Sequence, residues 1–213
     1  MRLRNKPWAE PFLLENDDLV LQYSEDLKDK YSEIYSNDRP LNLEIGTGKG
    51  DFIKQLASLN PNQNYLGIEK YSTVLAIAAK KIKNETELTN VRLMCYDAGE
   101  LELVFNEESL NCIYLNFSDP WPKARHEKRR LTFKTFLDKY FKLLKSGGKI
   151  IMKTDNLALF EYSLESIKEH GKFKLVEYTF DYVFDKENDG MSEYERKFRE
   201  IGTKINRLVC VKE

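Results

Sequence analysis

The chain has 213 residues, 41% hydrophobic and 32% charged, with a formal net charge of −1 and a sequence pI near 6.2. That length suits one globular domain with a full-sized core, and no apolar run approaches the roughly 18 residues of a membrane span. The basic start Met1-Arg2-Leu3-Arg4-Asn5-Lys6-Pro7 is not followed by the apolar stretch of a secretory signal, so a cytoplasmic protein is expected.

A helix is predicted from about Asp18 to Tyr35, packing on a sheet and closing over its site. From Pro40 short apolar runs alternate with longer amphipathic ones. Leu41 to Ile45 reads as a strand, and Asp51 to Leu59 as a helix stopped by Asn60-Pro61. Tyr65 to Ile68 is a second strand with a helix from about Ser72 to Lys83, and Val91 to Tyr96 is a third strand. Cys112 to Phe117 is a fourth, with a helix from Leu131 to Leu144 that ends at Ser146-Gly147-Gly148, where glycine accepts a left-handed turn. Lys149 to Lys153 is a fifth strand, followed by a helix from Ala158 to Glu169. Phe173 to Val183 and Lys204 to Lys212 close the chain as an antiparallel pair. Strands and helices in this alternation predict an α/β, Rossmann-like fold with a mostly parallel seven-stranded sheet and a C-terminal antiparallel strand. Residues 1–213 read as a single domain, with 1–40 as an arm and helix packed on a core of 41–213.

Cys95, Cys112 and Cys210 are few, odd in number and set among apolar residues, and neither histidine lies near one of them. They read as buried thiols in a reducing compartment, not as a disulfide or a metal site.

Glu44-Ile45-Gly46-Thr47-Gly48-Lys49-Gly50 leaves the first long strand and enters a helix. Glycines there let the backbone turn tightly and let a ligand lie against it. The phosphate-loop pattern fails because Gly50 follows Lys49, and the dinucleotide pattern fails because the third glycine comes one residue early. An acid followed by G-x-G-x-G is similar to the first motif of class I methyltransferases, which bind S-adenosylmethionine. Glu69 ends the second strand, where a carboxylate can accept from two ribose hydroxyls, and Asp97 ends the third, where one can accept from an adenine amino group.

The run Asn116-Phe117-Ser118-Asp119-Pro120-Trp121-Pro122-Lys123 places one carboxylate in a stiffened loop at the end of the fourth strand, where open α/β sheets put their chemistry. Five Lys or Arg stand against one Glu over positions 123–130. A local basic patch of this kind suits a phosphate-rich partner even in a chain of near-neutral charge.

With these pieces in order, the chain resembles the bacterial tRNA (guanine-N7)-methyltransferases, the TrmB family. The resemblance runs from about Leu41 to Lys212. It rests on the glycine loop, Gly67-Ile68-Glu69-Lys70, Asp97-Ala98, the Ser118 to Lys123 segment with Arg125 to Arg130, Lys153-Thr154-Asp155-Asn156, and Ser192-Glu193-Tyr194-Glu195. It implies the class I S-adenosylmethionine-dependent methyltransferase fold and formation of 7-methylguanosine in the tRNA variable loop. S-adenosyl-L-methionine would be held by Glu44, Gly46, Gly48, Glu69, Asp97 and Asp119, with Asp119 also the catalytic residue. Lys123, Asp155, Ser192, Glu193, Tyr194 and Glu195 would bind the substrate base, and Arg125, His126, Lys128, Arg129 and Arg130 would lie on RNA. The chain departs from the family's usual residues in having Asp97 for Asn, Ala124 for Lys and Ser192 for Thr. The partner implied is tRNA, with neither metal nor membrane, and the protein is a monomer or homodimer. On the residues alone, three other readings stay open: a methyltransferase of another RNA base or of a small-molecule amine, a dehydrogenase, and a non-catalytic RNA-binding module on a degenerate cofactor fold.

Overall fold

Alternation of apolar side chains along the central strands gives each strand two faces to cover, and the helices supply both covers. The computed structural model describes residues 6–85 and 88–213. Its strands are β1 (Val20–Leu21), β2 (Leu41–Ile45), β3 (Asn64–Glu69), β4 (Val91–Cys95), β5 (Leu110–Asn116), β6 (Leu144–Thr154), β7 (Phe173–Thr179) and β8 (Asn206–Lys212). The helices are α1 (Ala9–Leu14), α2 (Tyr31–Tyr35), α3 (Asp51–Leu59), α4 (Ser72–Lys83), α5 (Lys134–Leu143), α6 (Leu157–His170) and α7 (Glu193–Glu200). They build one sheet in the order β1-β4-β3-β2-β5-β6-β8-β7. Neighbours from β1 to β6 are parallel, and β8 runs antiparallel to both β6 and β7.

On one face Leu43, Ile68, Ile113 and Met152 pack with Leu137 and Tyr140 of α5 and Phe160 of α6. On the other, Tyr65, Val91 and Leu93 pack with Phe52 and Ile53 of α3, Leu75 and Ala79 of α4, and Leu13 of α1. Burying each such Leu or Ile side chain contributes roughly 1.5–3 kcal/mol. The chain steps from β2 outward to β3 and β4, then returns to the opposite side of β2 as β5. That reversal is the topological switch point, and open α/β sheets bind their ligands at the carboxyl ends of the strands flanking it.

Several expectations need correction. The helix placed over Asp18 to Tyr35 is instead β1, a 3-10 turn at Leu27–Asp29 and the short α2. Leu19, Val20 and Leu21 are all buried, Val20 toward α3 and α4 and Leu21 toward the opposite layer. Consecutive residues covered from two sides require a strand, because a surface helix buries a single stripe. This adds an eighth strand to the seven expected. The glycines 147 and 148 do not stop α5, which ends at Leu143. They form an irregularity within β6, where the pairing jumps from Leu110↔Leu144 to Cys112↔Lys149. Gly147 turns with φ 74°, and a Cβ on Gly148 would stand 2.8 Å from the Lys145 carbonyl. Cys112 and Cys210 are buried as expected, but Cys95 is exposed, being the last residue of β4 where the sheet opens. The β7 strand stops at Thr179, short of Val183. Arg2 and Arg4 of the basic start lie outside the described residues. No helix of the described residues is long and apolar enough to cross a membrane.

Candidate active site

The glycine loop is a backbone cradle hung on β3. The amides of Gly46 and Thr47 both donate to the Ile68 carbonyl at 2.9 Å, and Gly46, Gly48 and Gly50 all have positive φ, at 76°, 58° and 78°. Only glycine adopts that conformation without strain. A Cβ on Gly46 would meet nothing within 4 Å, and one on Gly48 only the Gly46 carbonyl at 3.9 Å. The loop therefore presents bare backbone to open space, whereas a Cβ on Gly50 would stand only 3.0 Å from Ala78 Cβ of α4. Gly67 is required for a different reason: a Cβ there would stand 2.9 Å from Thr47 Oγ1 and push the loop off the sheet.

Glu44 lies beneath this loop with 3% of its surface exposed. The Thr47 hydroxyl donates to Oε2 at 2.6 Å and Asn116 Nδ2 to Oε1 at 3.0 Å. Burial dominates over these two donors and the Lys153 charge, and pushes the carboxyl up to about 7. Glu69 accepts from the Tyr71 amide at 3.1 Å and the Gly48 amide at 3.3 Å. Burial raises its pKa against those bonds, and the nearby charge of Asp119 raises it further. Asp97 differs from both. It is exposed, caps the 3-10 turn Ala98–Leu103 through the Gly99 amide at 2.8 Å, and pairs with Lys70 at 2.6 Å. The hydrogen bond from Lys70, then that from Gly99, lowers its pKa.

Beyond β5 the chain carries two non-glycine residues in left-handed backbone, Phe117 at φ 50° and Trp121 at φ 42°. Such conformations are costly and cluster where a loop is held for a purpose. Asp119 sits between them and is itself exposed, while its neighbours are half-buried. The residues Ala124–Arg129 form a 3-10 turn with none of its side chains buried. Trp121 organises that turn: the Arg129 guanidinium lies 4.9 Å from its ring, His126 meets it edge-on at 5.7 Å, and Arg130 donates to its carbonyl at 3.2 Å. Lys123, Arg125 and Lys128 are exposed beside it.

On β6 and α7 the predicted residues separate. Asn156 caps α6 by accepting from the Leu159 amide at 2.8 Å, which leaves Asp155 free of that task at the strand end. Ser192 caps α7 by accepting from the Glu195 amide at 3.0 Å. Glu193 pairs with Lys49 of the glycine loop at 2.8 Å and with Lys197 at 2.8 Å, and these cations, Lys197 first, lower its carboxyl to about 2. Tyr194 is 59% exposed. Glu195 has no exposed surface and pairs with Lys153 at 2.7 Å and Arg199 at 2.8 Å. It was expected to touch substrate and instead turns inward, because a carboxylate ringed by two cations is stable only where they are.

A family model described as "Putative methyltransferase" matches residues 38–208. Proteins named tRNA (guanine-N(7)-)-methyltransferase from Bacillus subtilis (strain 168) and Geobacillus sp. (strain WCH70) are 46% and 48% identical. Each alignment spans 97% of this chain, covering 97% of the Bacillus protein and 94% of the Geobacillus one. The chain belongs to the tRNA (guanine-N7)-methyltransferase family. Solved structures agree at the level of fold. An antibiotic-related methyltransferase, 20% identical, aligns with a TM-score of 0.66 over 92% of this chain and 97% of its own. An rRNA methylase from Streptococcus thermophilus, 13% identical, aligns at 0.56 over 100% and 98%.

For a member of this family the open cradle is a fit test for S-adenosyl-L-methionine, and the residues pass it. Bare glycine backbone, two carboxylates with lone pairs to spare and the buried, unpartnered Asn116 Oδ1 suit a ligand rich in donors. The sequence reading missed four residues. Thr47 and Asn116 fix Glu44, Lys49 ties the loop to α7, and Lys153 is buried at 1% exposure. Asn116 had a visible signal, since it follows Cys112 and Tyr114 in strand alternation on the same face as Glu44. Lys153 opens one of the motifs of the resemblance but carried no sign of burial, because a lysine at a strand end looks solvated.

Proposed function

We propose that this protein transfers the methyl group of S-adenosyl-L-methionine to N7 of a guanine in the variable loop of tRNA. One observation carries the reading. Glu44 and Glu69 border an open glycine cradle at the switch point, and the strained loop leaving the adjacent β5 carries Asp119 into an uncovered basic turn. The names of the relatives supply the substrate.

S-adenosyl-L-methionine, when bound, supplies an electrophilic methyl group on a positively charged sulfur. Glu44, Gly46, Gly48, Glu69, Asp97 and Asp119 would hold it, Glu69 through lone pairs its backbone donors leave unused. Guanine N7 carries a free lone pair at neutral pH, so the protein needs no general base and its task is alignment. Asp119 accepts from the guanine N1–H and amino group, and its negative charge stabilises the positive charge that develops on the purine. Lys123, Asp155 and Tyr194 border the base. Arg125, His126, Lys128, Arg129 and Arg130 grip the phosphates and offset the few kcal/mol needed to unstack the target. A cytoplasmic location follows from a tRNA substrate.

The test is methyl transfer from labelled S-adenosyl-L-methionine to unmodified bulk tRNA, followed by digestion and nucleoside identification. Labelled 7-methylguanosine, absent with Asp119→Ala, is the expected result. Label on another nucleoside would overturn the specificity, and no label despite cofactor binding would overturn the RNA substrate.

A further inference from the structure

Helix α7 is held in an unusual way. Its one buried side chain is a carboxylate, Glu195, while Tyr194 and Ile201 beside it are 59% and 76% exposed. No apolar stripe fastens this helix to the sheet. The fastening is Lys153, at the carboxyl end of β6 and 1% exposed. Its Nζ lies 2.7 Å from Glu195 Oε2 and 3.0 Å from Asp189 Oδ2, and it donates to the Gly190 carbonyl at 2.8 Å. Arg199 takes the other oxygen of Glu195 at 2.8 Å, and the Tyr182 hydroxyl donates to Asp189 at 3.0 Å. Two cations and two anions balance, which is the condition for burying any of them.

The segment fastened this way touches both halves of the site. Glu193 pairs with Lys49 of the glycine cradle at 2.8 Å. Gln55 of α3 donates to the Met191 carbonyl at 3.0 Å and accepts from its amide at 3.1 Å. Phe198 stacks on Phe117, two residues before Asp119, with ring centroids 5.9 Å apart. Lys153 also acts through its own backbone, since its carbonyl accepts from the Phe117 amide at 2.8 Å. Gly190 lies flat on α3, where a Cβ would stand 2.6 Å from the Phe52 carbonyl.

We propose that Lys153 is the positioning residue that seats α7 across the mouth of the site, holding the glycine cradle and the Asp119 loop at a fixed separation. The proposal rests on the methyltransferase reading above. Lys153 touches neither base nor cofactor; it sets where Glu193 and Phe198 stand. Removing one member of a buried ionic group leaves uncompensated charge behind, so loss of Lys153 ejects Glu195 and releases the segment 182–201, while the apolar layers of the sheet stay packed.

The experiment combines amide hydrogen exchange with steady-state methyl transfer on the full chain carrying Lys153→Met. Amides of 182–201 should exchange at least about tenfold faster, with those of β2 and β5 unchanged. The kcat should fall roughly 100-fold, the scale expected when aligned groups lose register. KM for tRNA should stay within about threefold, because the phosphate grip lies on the basic turn and α7 borders only the base, through Tyr194. Asp189→Asn removes one partner and leaves Glu195 paired, so it should give the same pattern with roughly a tenfold loss of kcat; this variant decides the matter if Lys153→Met does not fold. Unchanged exchange over 182–201 overturns the proposal. So does faster exchange with kcat retained, or a loss expressed in KM alone. If the wild type methylates no tRNA, the functional reading falls, and the exchange pattern alone then decides whether Lys153 seats α7.

Discussion

The two walls of the site are built by opposite means. The wall of β2 and β3 is made of backbone and buried polar contacts: Gly46 and Thr47 hang on Ile68, and Glu44 is gripped by Thr47 and Asn116. The wall beyond β5 is a strained loop running into a 3-10 turn with no buried side chain, its cations arranged around Trp121. The first is held by contacts within the chain, and the second presents exposed positive charge that suits a polyanion. A small cofactor of fixed shape suits the first, and a large, repetitive phosphate backbone suits the second. Asp119 stands between them in the chain, on the loop that leaves β5 beside β2 and runs into the basic turn. Its substitution should therefore give the largest effect. Asp119→Ala should lower kcat/KM by about 1,000-fold, and Asp119→Asn, which keeps one acceptor, by roughly 10- to 100-fold. Equal losses in both would show that charge alone matters and would break the idea that Asp119 orients the base.

The two walls also differed in how legible they were. The cradle was readable because glycines at 46, 48 and 50 after an apolar strand have few structural uses, and the acids at strand ends follow from the α/β alternation. The basic turn was readable as composition. What holds the two together was not. Lys153 and Glu195 are far apart in sequence, and each in its local pattern resembles a solvated residue; their burial exists only once β6, β8 and α7 assemble. β1 escaped for a related reason, since Val20 and Leu21 pair with Leu93 and Met94, strand residues that follow them by more than seventy positions. Gly147 and Gly148 were read with the right backbone freedom but in the wrong element, because an irregular strand and a helix end ask the same thing of glycine.

The buried wall makes a prediction that the exposed wall cannot share. Glu44 has a folded pKa of about 7 against an ordinary 4.5. The folded protein then holds more protons than the unfolded chain between those values, so this group's contribution to stability falls as pH rises through that window. Cofactor affinity has the opposite sign, because ligand donors need the carboxylate. It should rise by up to roughly tenfold per pH unit below about 7 and level off above it. Calorimetric titration with S-adenosyl-L-methionine from pH 6 to 8, beside thermal unfolding of the unliganded protein, checks both slopes. Glu44→Gln should flatten the two together. A wild-type affinity that is flat over this range would mean that Glu44 is less desolvated beneath the loop than its 3% exposure implies.

The exposed wall should respond to salt instead. Each phosphate contact contributes about one unit to the slope of log affinity against log salt, scaled by roughly 0.7–0.9. Arg129 is the informative residue because it has a second occupation, lying 4.9 Å over the Trp121 ring. If it grips phosphate, Arg129→Gln lowers the slope for tRNA by about one and weakens binding severalfold at moderate salt, with kcat on saturating tRNA unchanged. If it serves only to order Trp121, the slope stays and kcat drops, because the loop carrying Asp119 loosens. The outcomes are exclusive in their salt dependence, so filter binding at four or five salt concentrations separates them. The first keeps the two walls distinct, one for shape and one for charge; the second makes the basic turn a brace for the catalytic loop and places the RNA grip on Arg125, Lys128 and Arg130.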